Sequence, residues 1–450
     1  MKQFLRVFLV LVLAAGTSAS VAQTNKWREI HKVKKKETIF GIAREYGITI
    51  DELKQANPEM TAPDYQLKKG TYVFIPYPQP AVTTPPPAAP VSPQPKGITD
   101  RPVRLGIMLP LHDDNGDGRR MVEYYRGVLM ACDSLKKEGV SVDVHAWNMA
   151  EDANVSHILA DPDAEKLDMI LGPLYSAQMA ALSDFSEKHD ISLVVPFSIQ
   201  APQLLTNRHV FQVWQSAAAL NDAAIVRFMK QFKDYHTIVV DCGDSTSTKG
   251  VFTAGLRRQL EMNGVEYSLT SLKSSETSFL KAFSRTKSNV VVLNTGRSQE
   301  LSVAFAKLNN LTMNNPSILV TLYGYPEWLG YTRAQMENFY RYGVYIPTPY
   351  YMNLTSQQAQ RFQTKYRWNF HQDMMNAAQR FAAAGFDHTM FFVKGLRRQG
   401  KSFLGEKGSV SYQPLQSPLQ FERMGTGGQQ NRTLLLVHYT PDHQIEILNK

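Results

Sequence analysis

Two cysteines, Cys132 and Cys242, are all that 450 residues contain. A fold held by a disulfide framework is therefore excluded. The two are expected as free thiols in different lobes, with Cys132 packed as a small apolar residue on a helix. Beyond the first 22 residues, no apolar run approaches the roughly 20 residues that a membrane helix needs. G-x-S-x-G, H-E-x-x-H and Cys-x-x-Cys are all missing, which removes familiar hydrolase, zinc-peptidase and dithiol signatures. "GDSTSTKG" (243–250) lacks the second glycine of a phosphate-binding loop, and no G-x-G-x-x-G comes after the first long apolar strand. Of the eleven histidines none pair at metal spacing, and His112 and His388 read as solvated or locally bonded. No catalytic residue, metal ligand or cofactor is assigned, and the expectation is a protein that is not an enzyme. The net charge is +9, part of it in "HKVKKKE" (31–37). This is a weak basis for nucleic-acid binding; an anionic wall or membrane surface is the more natural partner.

Composition divides the chain. Residues 1–22 combine Lys2 and Arg6, an apolar run from Phe8 to Ala15, and the small-x-small pattern Ser20-Val21-Ala22. That is the pattern of a secretory signal peptide, so the expectation is an exported protein, periplasmic or secreted, without a membrane span. Residues 78–102, which begin with "PQPAVTTPPPAAPVSPQPKGI", read as a semi-stiff polyproline spacer. It separates a small unit, 31–77, from a large one, 103–450.

In the small unit "HKVKK" alternates like a strand. Thr38 is placed to cap a helix carrying Ile39, Ile42, Ala43 and Tyr46, which Gly47 ends. Thr49 caps a second helix, with Glu52 completing a capping box. Asn57-Pro58 stops that helix, and Gly70 turns the chain into "TYVFIP". The order β-α-α-β resembles the LysM domain. Thr38, Ile42-Ala43, Tyr46-Gly47, Leu53, Asn57, Leu67, Gly70 and Ile75-Pro76 stand at the matching places. The usual Gly-Asp of the first turn is replaced by Lys36-Glu37. The resemblance implies binding of N-acetylglucosamine-containing glycans such as peptidoglycan, through Thr38, Ile39, Asn57, Pro58 and Leu67.

In the large unit continuous apolar strands such as "VRLGIMLPL", "LDMILGPL" and "SNVVVLN" alternate with amphipathic helices. This predicts α/β lobes with parallel sheets covered on both faces, and ligands at the carboxyl ends of the strands. "MILGPLYSAQMAALSDFSEKHDISLVVPFS", "GVLMACDSL", "LYGYPEW" and "AAAGFDHTMFF" resemble type 1 periplasmic binding proteins of the leucine/isoleucine/valine-binding kind. The resemblance implies two hinged lobes crossed near 217, 345 and 420. The first lobe would hold about 103–216 and 345–420, the second about 217–344 and 421–450. It further implies a ligand cleft at Ser176, Ser198, Glu327, Tyr325 and Arg119. Ser176 would meet a ligand carboxylate or merely cap a helix. Ser198 lies near the second hydroxyl position, where "FSIQ" replaces the usual Ala-Thr. Glu327 would meet an ammonium.

The loop "LHDDNGDGRR" (111–120) spaces Asp113, Asn115 and Asp117 like a calcium loop, with the next helix expected from about Arg120. Position twelve, however, is Tyr124 where the bidentate glutamate belongs. Two readings of the chain remain. In one, an interaction, sensing or regulatory module is held at the wall by LysM, as in some cell-wall synthase activators; its partner would be a cell-wall enzyme. In the other, a wall-tethered receptor takes amino acids or similar small polar solutes for an ABC transporter. The combination also resembles wall-associated proteins of the Bacteroides group.

Overall fold

The computed structural model describes residues 27–62, 65–76 and 97–448. The expected signal peptide and residues 78–96 of the expected spacer lie outside the described residues. The chain forms two compact units, Met1–Gln79 and Pro80–Lys450.

The small unit pairs strand β1 (Trp27–Lys32) antiparallel with β2 (Tyr72–Pro76), around helices α1 (Ile39–Glu45) and α2 (Ile50–Ala56). The first strand lies earlier than "HKVKK" suggested, because the chain turns at Lys35-Lys36. Lys36 takes a φ of 71°, the left-handed region that glycine occupies without strain. Glu37 secures the turn: its Oε2 accepts from the Lys34 amide at 2.7 Å and lies 2.8 Å from His31 Nε2. Thr38 caps α1 through a bond from the Gly41 amide at 3.0 Å, and Thr49 and Glu52 form the capping box on α2. Ile42, Leu53, Val73 and Ile75 make the core. Asn57 is fully buried and joins the end of α2 to β2. Its amide donates to Leu53 O at 2.8 Å and Phe74 O at 2.7 Å, while its Oδ1 accepts from the Phe74 amide at 2.8 Å.

The large unit contains two seven-stranded sheets. The first lobe is built from β3 (Val103–Leu109), α3 (Gly116–Lys137), β4 (Val142–Asn148), β5 (Met169–Leu171), α4 (Met179–His189), β6 (Ser192–Val195) and β7 (Val210–Gln212). The second begins with α5 (Ala217–Gln231), β8 (His236–Asp241), α6 (Gly250–Met262), β9 (Tyr267–Ser271), β10 (Asn289–Leu293) and α7 (Ser298–Asn314). It continues through β11 (Val320–Tyr323), α8 (Thr332–Arg341) and β12 (Tyr345–Thr348). The chain returns to the first lobe for α9 (Gln357–Phe370), α10 (Phe381–Gln399), β13 (Phe421–Arg423) and β14 (Gln429–Asn431), then ends in the second with β15 (Leu435–Tyr439) and β16 (Ile445–Leu448). The sheet orders are β4-β3-β5-β6-β7-β14-β13 and β9-β8-β10-β11-β12-β15-β16. All pairs are parallel except β13–β14, β12–β15 and β15–β16.

Two expected lobe boundaries move. β12 belongs to the second lobe, held between β11 and β15, so that crossing falls after Thr348 and not at 345. β13 and β14 extend the first sheet beyond β7, so the last crossing falls after Asn431 and not at 420. The chain passes between lobes at 213–216, 349–352 and 432–434.

Helices α3 and α10 pack unusually closely. A Cβ on Gly127 would stand 1.9 Å from Ala382 O, and one on Gly385 would stand 2.1 Å from Tyr124 O. The two glycines therefore set how near the helices approach. Helix α3 also starts earlier than expected, because Asn115 accepts from the Gly118 amide at 2.8 Å and caps it. Buried Asp168 accepts two bonds from Arg101, both at 2.7 Å, and one from the Arg104 amide at 2.8 Å, closing the start of β3 onto β5. On α10, Asp387 accepts from the amides of Leu415, Gln416 and Ser417 at 2.8–2.9 Å, clipping that loop to the helix. Cys132 is half-buried in the first lobe and Cys242 buried in the second, both free. Burial pushes each thiol up to about 12. Among the described residues no helix is long and apolar enough to cross a membrane.

Candidate functional site

The second lobe builds its side of the cleft from three loops at the carboxyl ends of β8, β10 and β11. Asp244 organises the first two. It accepts from the Thr246 amide at 3.0 Å and from the hydroxyls of Thr246 and Thr295, both at 2.7 Å. These donors hold its carboxyl at about 2. Ser247 donates to Asn294 O at 2.7 Å and accepts from the Lys249 amide at 3.1 Å, which delivers Lys249 to the start of α6.

The third loop carries Tyr325 and Glu327. Tyr325 is buried, and its hydroxyl donates to Leu293 O at 2.5 Å. Pro326 opens a tight helical turn through Tyr331 that presents Glu327 outward and sends Trp328 into the core. Gly324 permits this, because a Cβ there would stand 2.2 Å from the Trp328 ring. Lys249 Nζ lies 2.5 Å from Glu327 Oε1 and 4.8 Å from the centre of the Tyr325 ring. A cavity of about 440 Å³ sits beside this pair, walled by Trp214, Leu220, Phe252, Tyr325, Pro347 and Tyr350.

On the first lobe, Ser198 lies in the loop after β6 and lines a separate cavity of about 520 Å³ with Gln200, Gln212 and Gln430. Trp214, in the first crossing, lines both cavities. Ser176 is exposed at the turn before α4 and caps no helix; its Oγ accepts from the Gln200 amide at 2.9 Å. That hydroxyl binds the neighbouring loop, where the resemblance implies a ligand carboxylate. Tyr325 and Glu327 thus share one cavity, Ser198 lines the next, and Ser176 supports the Ser198 loop. Arg119 lines neither of these cavities. It is exposed on the first turn of α3, its Nη1 3.3 Å from Asp113 O and 3.9 Å from Asp113 Oδ1. In the same loop Asp117 pairs with Arg120 at 2.9 Å, and among the described residues no group of three acidic, His or Cys side chains could hold a metal ion. Tyr323 and Trp328 lie in the core of the second lobe.

Sequence reasoning missed Lys249, Trp214 and Tyr350. Lys249 was in view as the lysine of an incomplete phosphate loop, but its partner lies 78 residues away.

In the small unit Thr38 and Pro58 are exposed, and Ile39 and Leu67 are half-buried against the core. Asn57 departs from the expected ligand set, because three internal bonds occupy its side chain.

Among solved structures, a protein from Rhodospirillum rubrum described as a branched-chain amino acid ABC transporter is 15% identical with a TM-score of 0.53; the match covers 77% of this chain and all of that one. An ABC transporter substrate-binding protein from Sphaerobacter thermophilus is 15% identical with a TM-score of 0.45, covering 78% of this chain and 97% of the other. The likeness to the first is one of fold. No curated protein matches the chain. Residues 31–76 match the family model of the LysM domain. Residues 123–411, more than half of the chain, match the family model described as periplasmic binding protein, and the chain belongs to that family.

Proposed function

We propose that this is an exported, wall-associated protein that carries out no catalysis. Its LysM domain holds peptidoglycan, and its periplasmic-binding-protein unit acts as an interaction or sensing module. The observation that carries the reading is the Lys249–Glu327 pair. The carboxylate that would receive a ligand ammonium already holds an ammonium at 2.5 Å. Binding an amino acid there would set its ammonium beside that of Lys249 or displace it, a cost that the ligand's other contacts must first offset. Ser176 is neutral between the readings, because its oxygen accepts the Gln200 amide and its O–H can still donate to a carboxylate. On the small unit, exposed Thr38 and Pro58 beside half-buried Ile39 and Leu67 suit contacts to the acetamido groups and faces of N-acetyl sugars.

The alternative, a wall-tethered receptor for amino acids, draws support from the 440 Å³ cavity, which has the size of a small-solute site. The experiment is native mass spectrometry of the freshly purified full chain, paired with co-sedimentation on purified peptidoglycan sacculi. The proposed function predicts co-sedimentation and a mass equal to the bare chain. A co-purified amino acid, lost in Glu327→Gln, overturns the sensing reading in favour of the receptor.

A further inference from the structure

Beyond the turn that carries Glu327 lies a third cavity, of about 570 Å³, lined by residues of both lobes. Gly330 and Ala378 line this cavity and also the one beside Lys249, so the two adjoin. From the second lobe come Thr332 and Arg333, in the first turn of α8; from the first lobe come Asn353, Asn376 and Arg380. No aspartate or glutamate among the described residues lines it, whereas two arginines do.

The side-chain acceptors of its two asparagines are spent within the protein. Asn353 spends its Oδ1 on the Thr355 amide at 3.1 Å and hydroxyl at 2.7 Å. Asn376 spends its Oδ1 on Arg380 Nη2 at 3.1 Å. The amide nitrogens of both asparagines have no partner among the described residues, and neither does the Arg333 guanidinium. Arg380 is half-buried and bonded to neutral oxygens, those of Met375 and Asn376. Burial pulls its pKa down, opposed by Glu123. Glu123 does not compensate it within the cavity, because that carboxylate is buried beneath the loop and accepts the Met375 and Ala382 amides. Met336, Leu354 and Ile445 add an apolar side to the same space.

An excess of donors, two cations, spent acceptors and an apolar wall are the complement of an organic anion. We propose that this cavity is a second ligand site, distinct from the Glu327 cavity, that takes a small organic anion with an apolar flank. Arg333 and Arg380 hold its charged end. Because the arginines come from different lobes, an occupant bridges the lobes and stabilises the arrangement that brings them together.

The test is calorimetric titration of the full chain with three probes: N-acetylleucine, phenyl phosphate and the neutral N-acetylleucinamide. The expected result is saturable binding of one or both anions and none of the amide. Binding falls by about tenfold or more in Arg333→Gln, an exposed position whose substitution leaves the fold intact, and falls further as salt rises. Arg285→Gln, which removes an equal charge from an exposed position that lines neither cavity, leaves it unchanged. N-acetylleucine alone binding identifies a carboxylate site, and phenyl phosphate alone a phosphate site. Absence of anion binding, equal affinity for the amide, or equal affinity in Arg333→Gln overturns the proposal.

Discussion

Lys249 and Glu327 approach to 2.5 Å across 78 residues of sequence, and the same lysine lies over the ring of Tyr325. The pair is partly exposed, so its removal costs at most about 1 kcal/mol of stability. Its effect on recognition is larger. Lys249→Met leaves Glu327 unpaired at the cavity rim and is expected to create weak affinity for leucine where the unaltered chain has none. Calorimetric titration of both proteins checks this, and Lys249→Arg, which keeps the cation, restores the original behaviour.

Asn57 is expected to be a structural residue of the LysM domain. Asn57→Ala removes three buried hydrogen bonds, two to Phe74 and one to the Leu53 carbonyl, at a cost of about 2–4 kcal/mol. A single core of this size has little stability to spare. Sacculus co-sedimentation and the domain's own unfolding transition are lost together. Pro58→Ala, by contrast, changes co-sedimentation without moving the transition.

Asp168 ties Arg101 and the Arg104 amide to the first sheet. Breaking a fully buried pair costs about 3–5 kcal/mol, and the exposure of Arg101 reduces this here to about 2–3. Asp168→Asn should lower the denaturant midpoint of the large unit by a corresponding amount without weakening sacculus binding.

His388 is buried with its Nδ1 3.0 Å from the Tyr124 hydroxyl, and burial holds its pKa down at about 3. The unfolded chain takes up this proton near the ordinary value of about 6.5. The stability His388 contributes is therefore fully present above about pH 6.5 and is lost as pH falls toward 3. Asp387 runs the other way. Its carboxyl, pushed up to about 7 by burial despite three amide donors, weakens the fold as pH rises from its ordinary 3.8 toward 7. Net stability of the unaltered chain thus hides both slopes. The difference between it and His388→Gln exposes one: the advantage of histidine shrinks by up to about 1.4 kcal/mol per pH unit below about 6.5. Chemical denaturation of both proteins across that range measures it.

The parallel sheets were legible because central strands such as β5, β6 and β10 are buried on both faces and so carry near-continuous apolar runs. The small unit was legible from its caps, since Thr38, Thr49 and Glu52 act locally. The lobe boundaries were not. β13 and β14 read "FER" and "QQN", with neither alternation nor an apolar run, and only the pairing of β14 with β7 and of β13 with β14 makes them strands. The cleft was half legible. Glu327 could be placed at its rim from "LYGYPEW", but its state depends on Lys249, and Ser176 depends on Gln200, both remote in sequence. Asn57 is a similar case: its position marks the end of α2 in the sequence, yet its buried partners on β2 become visible only in three dimensions.

The cleft of this periplasmic-binding-protein unit is expected not to receive free amino acids. The most direct measurement is the melting temperature of the full chain against a panel of all the common amino acids at concentrations up to millimolar. Specific binding of any one would raise it by mass action. The predicted result is no shift for any member of the panel. A saturable shift with one amino acid, abolished by Glu327→Gln, contradicts it.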